Sequence, residues 1–525
     1  MDGEHDLEMT TTPAATRRTN GSARGFLLKD RFIPRGERVF TNRNLRMSSV
    51  VAIGFDLDHT LAHYDAVQVE RLAFEMTKRK LVEKRGYPPE TLRLRYDPEF
   101  IVRGLLVDKK RGNVLKMDAF KDVTRAYHGR RRLTGDERRR VYRSRQPRLV
   151  AENFVSVDTL FHLPEVYLFL TLVDLLEARQ RRADLDYGQV YRDVREMIDE
   201  AHGDGSIKTL IVANTRSYVR RDPRLAHALA EFRRSGKKLF LLTNSESYYS
   251  DALLKHLLER RPGDPPWQEH FDLLLFDARK PSFFLASDDP AHQARAIEWE
   301  SRVPSFSGGN AAFLESQLGA SGDQILYFGD HTYGDILRSK KNLGWRTAMI
   351  VPELEREVAV TQRLSREYAL LERLLSAHEQ AELAKAEVAR KWRWLVQEER
   401  LAVQGAAREG TTGTTGNGDA ARAAATSVRA TRKRARRVQE LADSMAHLDH
   451  RSSSLAGELK AVRRRIEAQY NTYWGSVFRE GNEGTRFGQQ IRDFACLYTS
   501  RVSNFLHYPW NYYFQSPLSL MPHDL

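Results

Sequence analysis

Val50-Val51-Ala52-Ile53-Gly54-Phe55-Asp56-Leu57-Asp58-His59-Thr60 is the stretch on which the reading of this chain turns. Its first half is continuously apolar and carries two adjacent β-branched valines, the composition of a strand buried on both faces in a parallel sheet. Its second half switches at once to two carboxylates and a threonine. The same grammar returns three times: Lys238 to Leu242 runs into Thr243-Asn244, Phe271 to Phe276 into Asp277-Ala278-Arg279-Lys280, and Gln324 to Phe328 into Gly329-Asp330. Helix-length periodic stretches, among them Pro223 to Arg234 and Ala252 to Arg260, separate these strands. Strand alternating with helix predicts a doubly wound α/β sheet, and such sheets bind ligands beyond the carboxyl ends of their strands.

Working outward, the chain between the first strand and the Thr243 strand is far too long for a crossover helix, so residues 66–208 are expected to form an inserted cap region. The cap holds a strand pair around Val102 to Met117, with a turn at Lys110-Arg111-Gly112-Asn113, and helical patterns near Leu163 to Glu177 and Tyr187 to Ala201. Residues 25–65 and 209–352 then make the catalytic core, and residues 1–24 a disordered polar tail. After Val351-Pro352 the pattern changes to long helices: Leu364, Tyr368, Leu371 and Leu375 form one apolar stripe. A helical arm is expected over 353–470, with a Gly/Thr/Ala-rich mobile loop at 405–427 between antiparallel helices. The aromatic density of 471–525 predicts docking on the core or on a partner subunit.

With 525 residues, 41% of them hydrophobic, the chain has material for several domains and is not disordered throughout. The single cysteine, Cys496, excludes an intramolecular disulfide, and the first residues lack a secretory pattern, so the expected setting is the reducing cytoplasm. The greasiest stretch, Leu160 to Leu176, is interrupted by His162, Pro164, Glu165 and Asp174, which predicts no transmembrane helix. The net charge of +14 concentrates in two arginine clusters, at 130–145 and 429–437, without interleaved aromatics. Solvated faces or contacts to acidic surfaces are therefore expected ahead of nucleic acid.

Two carboxylates two residues apart, Asp56 and Asp58, repel one another in a shared pocket unless a cation neutralises them, which implies a divalent metal. Oxygen ligands beside a phosphate suit Mg²⁺. The other strand ends supply a hydroxyl and amide (Thr243, Asn244), a cation (Lys280) and more acids (Asp330, Asp335), the set a phosphoryl group needs. Blander readings exist for each: Asp56 and Asp58 as turn caps, Thr243 as a strand terminus, Lys280 as a loop lysine paired to Asp277, Asp330 as the N-cap of a helix opening near Tyr333. Their joint occurrence, in order, favours the catalytic set.

Phe55-Asp56-Leu57-Asp58-His59-Thr60-Leu61, Leu242-Thr243-Asn244-Ser245, Asp277-Ala278-Arg279-Lys280-Pro281, and Tyr327-Phe328-Gly329-Asp330-His331 with Gly334-Asp335-Ile336-Leu337 resemble the motifs of the haloacid dehalogenase-like superfamily. More narrowly they resemble the cytosolic purine 5′-nucleotidase family, as do His507-Tyr508-Pro509 and Leu520-Met521-Pro522-His523. The resemblance implies a Rossmann-like core with an inserted α/β cap and a C-terminal helical arm. It implies hydrolysis of purine nucleoside 5′-monophosphates, IMP or GMP, with phosphotransfer to nucleosides open to the same intermediate.

By that resemblance Asp56 is the nucleophile that forms an aspartyl-phosphate, and Asp58 protonates the leaving oxygen and later deprotonates water. Asp56, the backbone carbonyl of Asp58, and Asp330 hold Mg²⁺, while Asp335 orders a water or fixes Lys280. Thr243, Asn244, Lys280 and Lys208 bind phosphate. Phe161 stacks on the purine, Arg195 and Asp199 read its edge, and His202 assists. For these last residues core packing or a surface helical ion pair is the competing reading. Gly203, His162 and Asp158 depart from the family's pattern. A homo-oligomer, dimer or tetramer, is expected. The rivals are a phosphatase of the same fold acting on another phosphomonoester, and a non-catalytic basic scaffold that binds nucleic acid.

Overall fold

The computed structural model describes residues 33–142, 152–180, 182–259, 263–285, 293–299, 301–409, 419–481 and 483–517. The expected tail over 1–24, the far end of the first arginine cluster and the Leu520 to His523 motif lie outside these residues. At the centre is a nine-stranded sheet. Its order is Phe40–Thr41, Leu497–Thr499, Arg346–Ile350, Ile325–Gly329, Ala52–Phe55, Lys238–Leu242, Leu273–Phe276, Ser305–Ser307 and Arg295–Ala296. The inner strands run parallel, and only the two edge strands are antiparallel.

Ala52–Phe55 is fully buried and lies between Ile325–Gly329 and Lys238–Leu242, with Phe55 opposite Phe328 on one side and Leu241 on the other. This is where strand order reverses, the position at which open α/β sheets leave a crevice. Burial of side chains such as Ile53 and Phe55, each 0% exposed, contributes about 1.5–3 kcal/mol apiece. Gly54 is required by the neighbouring strand: a Cβ there would stand 2.1 Å from the Phe240 ring.

The chain between the first two core strands forms a five-stranded antiparallel sheet backed by the helices Ala66–Arg85, His162–Glu177 and Tyr187–Gly203. The strand pair expected from Val102 begins only at Leu106, because Gly104 adopts φ +87° and turns the backbone out of the extended region. The return to the core is marked by Val219–Arg220 pairing with His63–Tyr64.

The C-terminal segment builds into the core. Leu497–Thr499 is an interior strand, and Tyr513–Phe514 pairs with Leu45–Arg46. Trp474, 0% exposed, closes the core of the inserted segment and donates from Nε1 to the Phe100 carbonyl at 2.5 Å. The helices Ser365–Glu409 and Asp419–Glu467 run side by side, joined near the sheet by Leu371, Leu459, Val462 and Ile466 and further out by the Lys385–Asp449 ion pair at 2.5 Å. Helix therefore occupies 405–409 and 419–427, parts of the span expected as a loop, since alanine-rich sequence carries high helix propensity. Among the described residues no helix is long and apolar enough to cross a membrane.

Candidate active site

The chain leaves the central strand at Asp56, whose N–H donates to the Phe328 carbonyl at 2.9 Å. A tight turn follows, with Leu61 and Ala62 both donating to the Leu57 carbonyl at 3.0 and 2.9 Å. His59 sits in this turn in the left-handed region, φ +58°, a conformation a non-glycine residue holds only when its surroundings fix it. Its ring is wedged against Phe161 at 4.6 Å and Tyr64 at 5.0 Å, and burial pushes its imidazole down to about 3. The turn brings the Asp58 carboxylate to Tyr64 OH, which donates to Oδ1, and to Ser245 Oγ, which donates to Oδ2 at 2.6 Å.

Lys280 Nζ lies 2.8 Å from Asp56 Oδ1, 2.7 Å from Asp335 Oδ1 and 2.9 Å from Tyr327 OH. One enclosed ammonium thus compensates two enclosed carboxylates; burial alone pulls it down, but Asp335 and Asp56 hold it well above the usual lysine range. Burial dominates at Asp56, pushing its carboxyl up to about 7 against the opposing pull of Lys280. Lys280 is therefore not the partner of Asp277, which accepts from Ser307 Oγ at 2.9 Å. The Asn244 side chain clamps the Lys280 backbone, accepting from its N–H at 2.6 Å and donating to its carbonyl at 3.0 Å, so its amide orients Lys280. Thr243 is fully buried behind the cleft, its Oγ1 accepting from the Ser245 N–H at 3.0 Å.

Asp330 ends the Ile325–Gly329 strand, but it does not cap the helical turn that follows. That task falls to His331, whose Nδ1 accepts from the N–H groups of Tyr333 and Gly334 at 3.2 and 3.1 Å. Asp330 Oδ2 is buried without a hydrogen-bond partner, and burial holds its carboxyl well above the usual range. Oxygens of Asp56, Asp330 and Asp335 all lie within 4.8 Å of one another. Asp335 is already engaged, by Lys280 and by the His331 N–H at 3.3 Å, and Gly329 leaves it room, since a Cβ there would stand 2.6 Å from the Asp335 Cβ. A buried carboxylate oxygen with no donor, beside a second carboxylate, fits a hard divalent cation.

The base-end candidates lie on the wall opposite. Arg195 donates from Nη1 to Glu165 Oε2 at 2.9 Å and from Nε to Asp199 Oδ2 at 3.0 Å, and Nη1 also stands 2.9 Å from His162 Nε2. Glu165 is enclosed, and burial raises its carboxyl. Asp199 is exposed. The ring of His202 meets Phe161 edge-on at 5.9 Å, and Lys208 pairs with Glu246. A cleft of about 380 Å³ runs from Asp56, Asp58, Lys280, Asp330 and Asp335 past Asn244 and Lys208 to Phe161, Arg195, Asp199 and His202. Of the residues singled out from sequence, only Thr243 stands behind its surface.

Sequence reasoning missed four side chains that hold these in place: Tyr64 and Ser245 on Asp58, Tyr327 on Lys280, and Arg103 beside Asp330. Arg103 left a signal, a lone charge inside Phe100-Ile101-Val102-Arg103-Gly104-Leu105-Leu106.

A doubly wound α/β sheet with a carboxylate pair and a charge-balanced lysine at its switch point is the architecture of a phosphate-ester enzyme. Residues 39–525 match the family described as the 5′ nucleotidase family, and the chain belongs to it. That membership makes it a phosphoric monoester hydrolase. It is 26% identical over 501 residues to a 5′-nucleotidase domain-containing protein of Dictyostelium discoideum, spanning 93% of this chain and 74% of that one. It is 30% identical over 342 residues to 5′-nucleotidase domain-containing protein 2 of Rattus norvegicus, spanning 61% of this chain and 60% of that one. Among solved structures, an archaeal β-phosphoglucomutase from Pyrococcus overlaps 58% of this chain and 88% of its own at 13% identity and a TM-score of 0.26.

Proposed function

We propose that the enzyme hydrolyses purine nucleoside 5′-monophosphates of the IMP or GMP type, using Mg²⁺ and an aspartyl-phosphate at Asp56. The observation that carries the reading is Lys280 bridging Asp56 and Asp335 at one end of a cleft whose other end offers the Phe161 face and the Arg195 guanidinium. Asp56 and Asp330 are the carboxylates available to the cation, with Asp58 contributing its backbone carbonyl while Tyr64 and Ser245 orient its carboxyl for proton transfer. When bound, the cation supplies charge neutralisation for the phosphate and the attacking carboxylate.

The residues of the chain do the rest. A carboxylate oxygen of Asp56 attacks phosphorus as the bond to the 5′ oxygen breaks, and Asp58 gives its proton to that leaving oxygen. Asp58 then takes a proton from water as the water oxygen bonds to phosphorus and the Asp56 oxygen leaves, returning both acids to their starting state. A nucleoside hydroxyl in place of water gives phosphotransfer. Lys280 stays charged throughout and faces the phosphate oxygens, Asn244 holding its backbone in place; Lys208, paired with Glu246, lines the same cleft, and Thr243 supports it from behind. Stacking on Phe161 favours a nucleobase by about 1–3 kcal/mol over an abasic ester. The cytoplasmic setting and homo-oligomeric assembly inferred above belong to the same proposal.

The test is a panel of phosphate esters with Mg²⁺, read as kcat/KM. IMP and GMP are expected to lead, and a preference for ribose 5-phosphate over both would overturn the nucleotide reading.

A further inference from the structure

Arg103 belongs to the inserted segment, yet its side chain reaches Asp330, a residue that lines the cleft. The side chain is 0% exposed. Nη1 donates to the backbone carbonyl of Asp330 at 2.9 Å and stands 3.8 Å from Oδ2 of the same residue. Nε and Nη2 make a two-pronged grip on the Glu353 carboxylate at 2.7 and 2.5 Å, and the guanidinium lies 5.1 Å over the Phe487 ring. The backbone is wedged against that same ring: a Cβ on Gly104, at φ +87°, would stand 2.3 Å from Phe487 Cβ.

Each contact has a separate consequence. The Glu353 grip neutralises a guanidinium that could not otherwise be enclosed. The bond to the Asp330 carbonyl ties down the loop that carries the carboxylate. At 3.8 Å the guanidinium is near enough to Oδ2 to hold it electrostatically and too far to hydrogen-bond, so the oxygen keeps its lone pairs. Glu353 opens the helix Glu353–Arg363, and Phe487 lies on Arg486–Phe494, so Arg103 ties two distant helices to the loop that carries Asp330.

We propose that Arg103 is a positioning residue that sets Asp330 for a divalent cation. The proposal rests on the reading of Asp56 and Asp330 as cation ligands. Its test is Mn²⁺ binding to the full chain, followed by the electron paramagnetic resonance signal of free Mn²⁺, with kcat and KM for IMP measured beside it. Arg103→Met is expected to weaken Mn²⁺ binding about 10–100-fold, the usual effect of losing a residue that orients a ligand. The half-saturating Mn²⁺ concentration for turnover should rise by the same factor, while KM for IMP moves less than kcat. Arg103→Lys keeps the charge but cannot grip Glu353 and reach Asp330 together, so it should resemble Arg103→Met. Unchanged or tighter Mn²⁺ binding in Arg103→Met overturns the proposal, the tighter result being what a merely repulsive charge predicts; full restoration by Arg103→Lys overturns it also. If neither Arg103 variant folds, Glu353→Gln decides, with weaker Mn²⁺ binding expected and unchanged binding overturning it. An unmodified chain that binds no Mn²⁺ removes the cation reading and this proposal together, whereas binding that is equal in unmodified and Arg103→Met proteins removes only this proposal.

Discussion

The two ends of the cleft are built in different ways. At the phosphate end Asp56, Asp330 and Asp335 are 8%, 3% and 2% exposed, and each is cross-braced by a group from another strand end or from the inserted segment. At the base end the Arg195 and Asp199 side chains are 40% and 60% exposed and pair along one helix, four residues apart, with Arg195 held also by the enclosed Glu165 of a second helix. Charges enclosed at short range act strongly on one another and on whatever enters between them, while an exposed helical pair is screened by water. The phosphate end is therefore preorganised for one kind of chemistry. The base end leaves room for selectivity to change without disturbing it.

The sharpest way to break this comparison is to remove Asp56, the nucleophile of the proposed reaction. Asp56→Asn is expected to lower kcat by more than about 10³-fold and to abolish radiolabel retained on protein after rapid acid quench of turnover. Lys280→Met should follow, because it leaves Asp56 and Asp335 facing each other without a cation. Activity is expected to fall on the order of 10²–10³-fold, with a loss of about 3–5 kcal/mol in denaturant unfolding. Phe161→Ala tests the other end: KM for IMP should rise about 5–150-fold, well beyond any change in ribose 5-phosphate turnover. Asp199→Asn should change unfolding by less than about 0.5 kcal/mol, its effect appearing in the IMP to AMP ratio of kcat/KM.

pH sharpens the contrast further. Without a divalent cation the Asp56 carboxyl is raised from 3.8 to about 7 by burial, so the neutral form is favoured in the folded state. The sign follows from linkage: this contribution is complete below about 4 and is lost as pH rises toward 7. Melting of the metal-free protein should therefore fall across that window. Asp56→Asn is expected to flatten the slope, and Mg²⁺ to reverse it by favouring the ionised carboxylate.

Much of the phosphate end was legible in the sequence because its parts come one per strand end, where an apolar run stops and a functional residue starts. Asp56, Thr243, Lys280 and Asp330 all occupy such positions. Their mutual bracing was not legible, since Tyr64, Ser245 and Tyr327 are ordinary residues whose roles arise only when distant strands become neighbours. Arg103 shows the limit well: a strand was expected to cover it, whereas the turn at Gly104 frees its side chain to reach Asp330. The central strand and the two beside it announced themselves through short, continuous apolar runs. The strand Leu497–Thr499 did not, because it lies within a segment whose aromatic content reads only as something that docks.

That late strand has a consequence for how the molecule comes into being. Arg346–Ile350 pairs on one side with Ile325–Gly329 and on the other with Leu497–Thr499, which in turn carries Phe40–Thr41. On the ribosome, the side of Arg346–Ile350 that awaits its partner stays unpaired while the whole helical arm is synthesised, a ready template for wrong pairing. Nascent chains stalled before residue 497 should accordingly be captured by holdase chaperones, and competence should arrive in one step once Leu497–Thr499 has emerged.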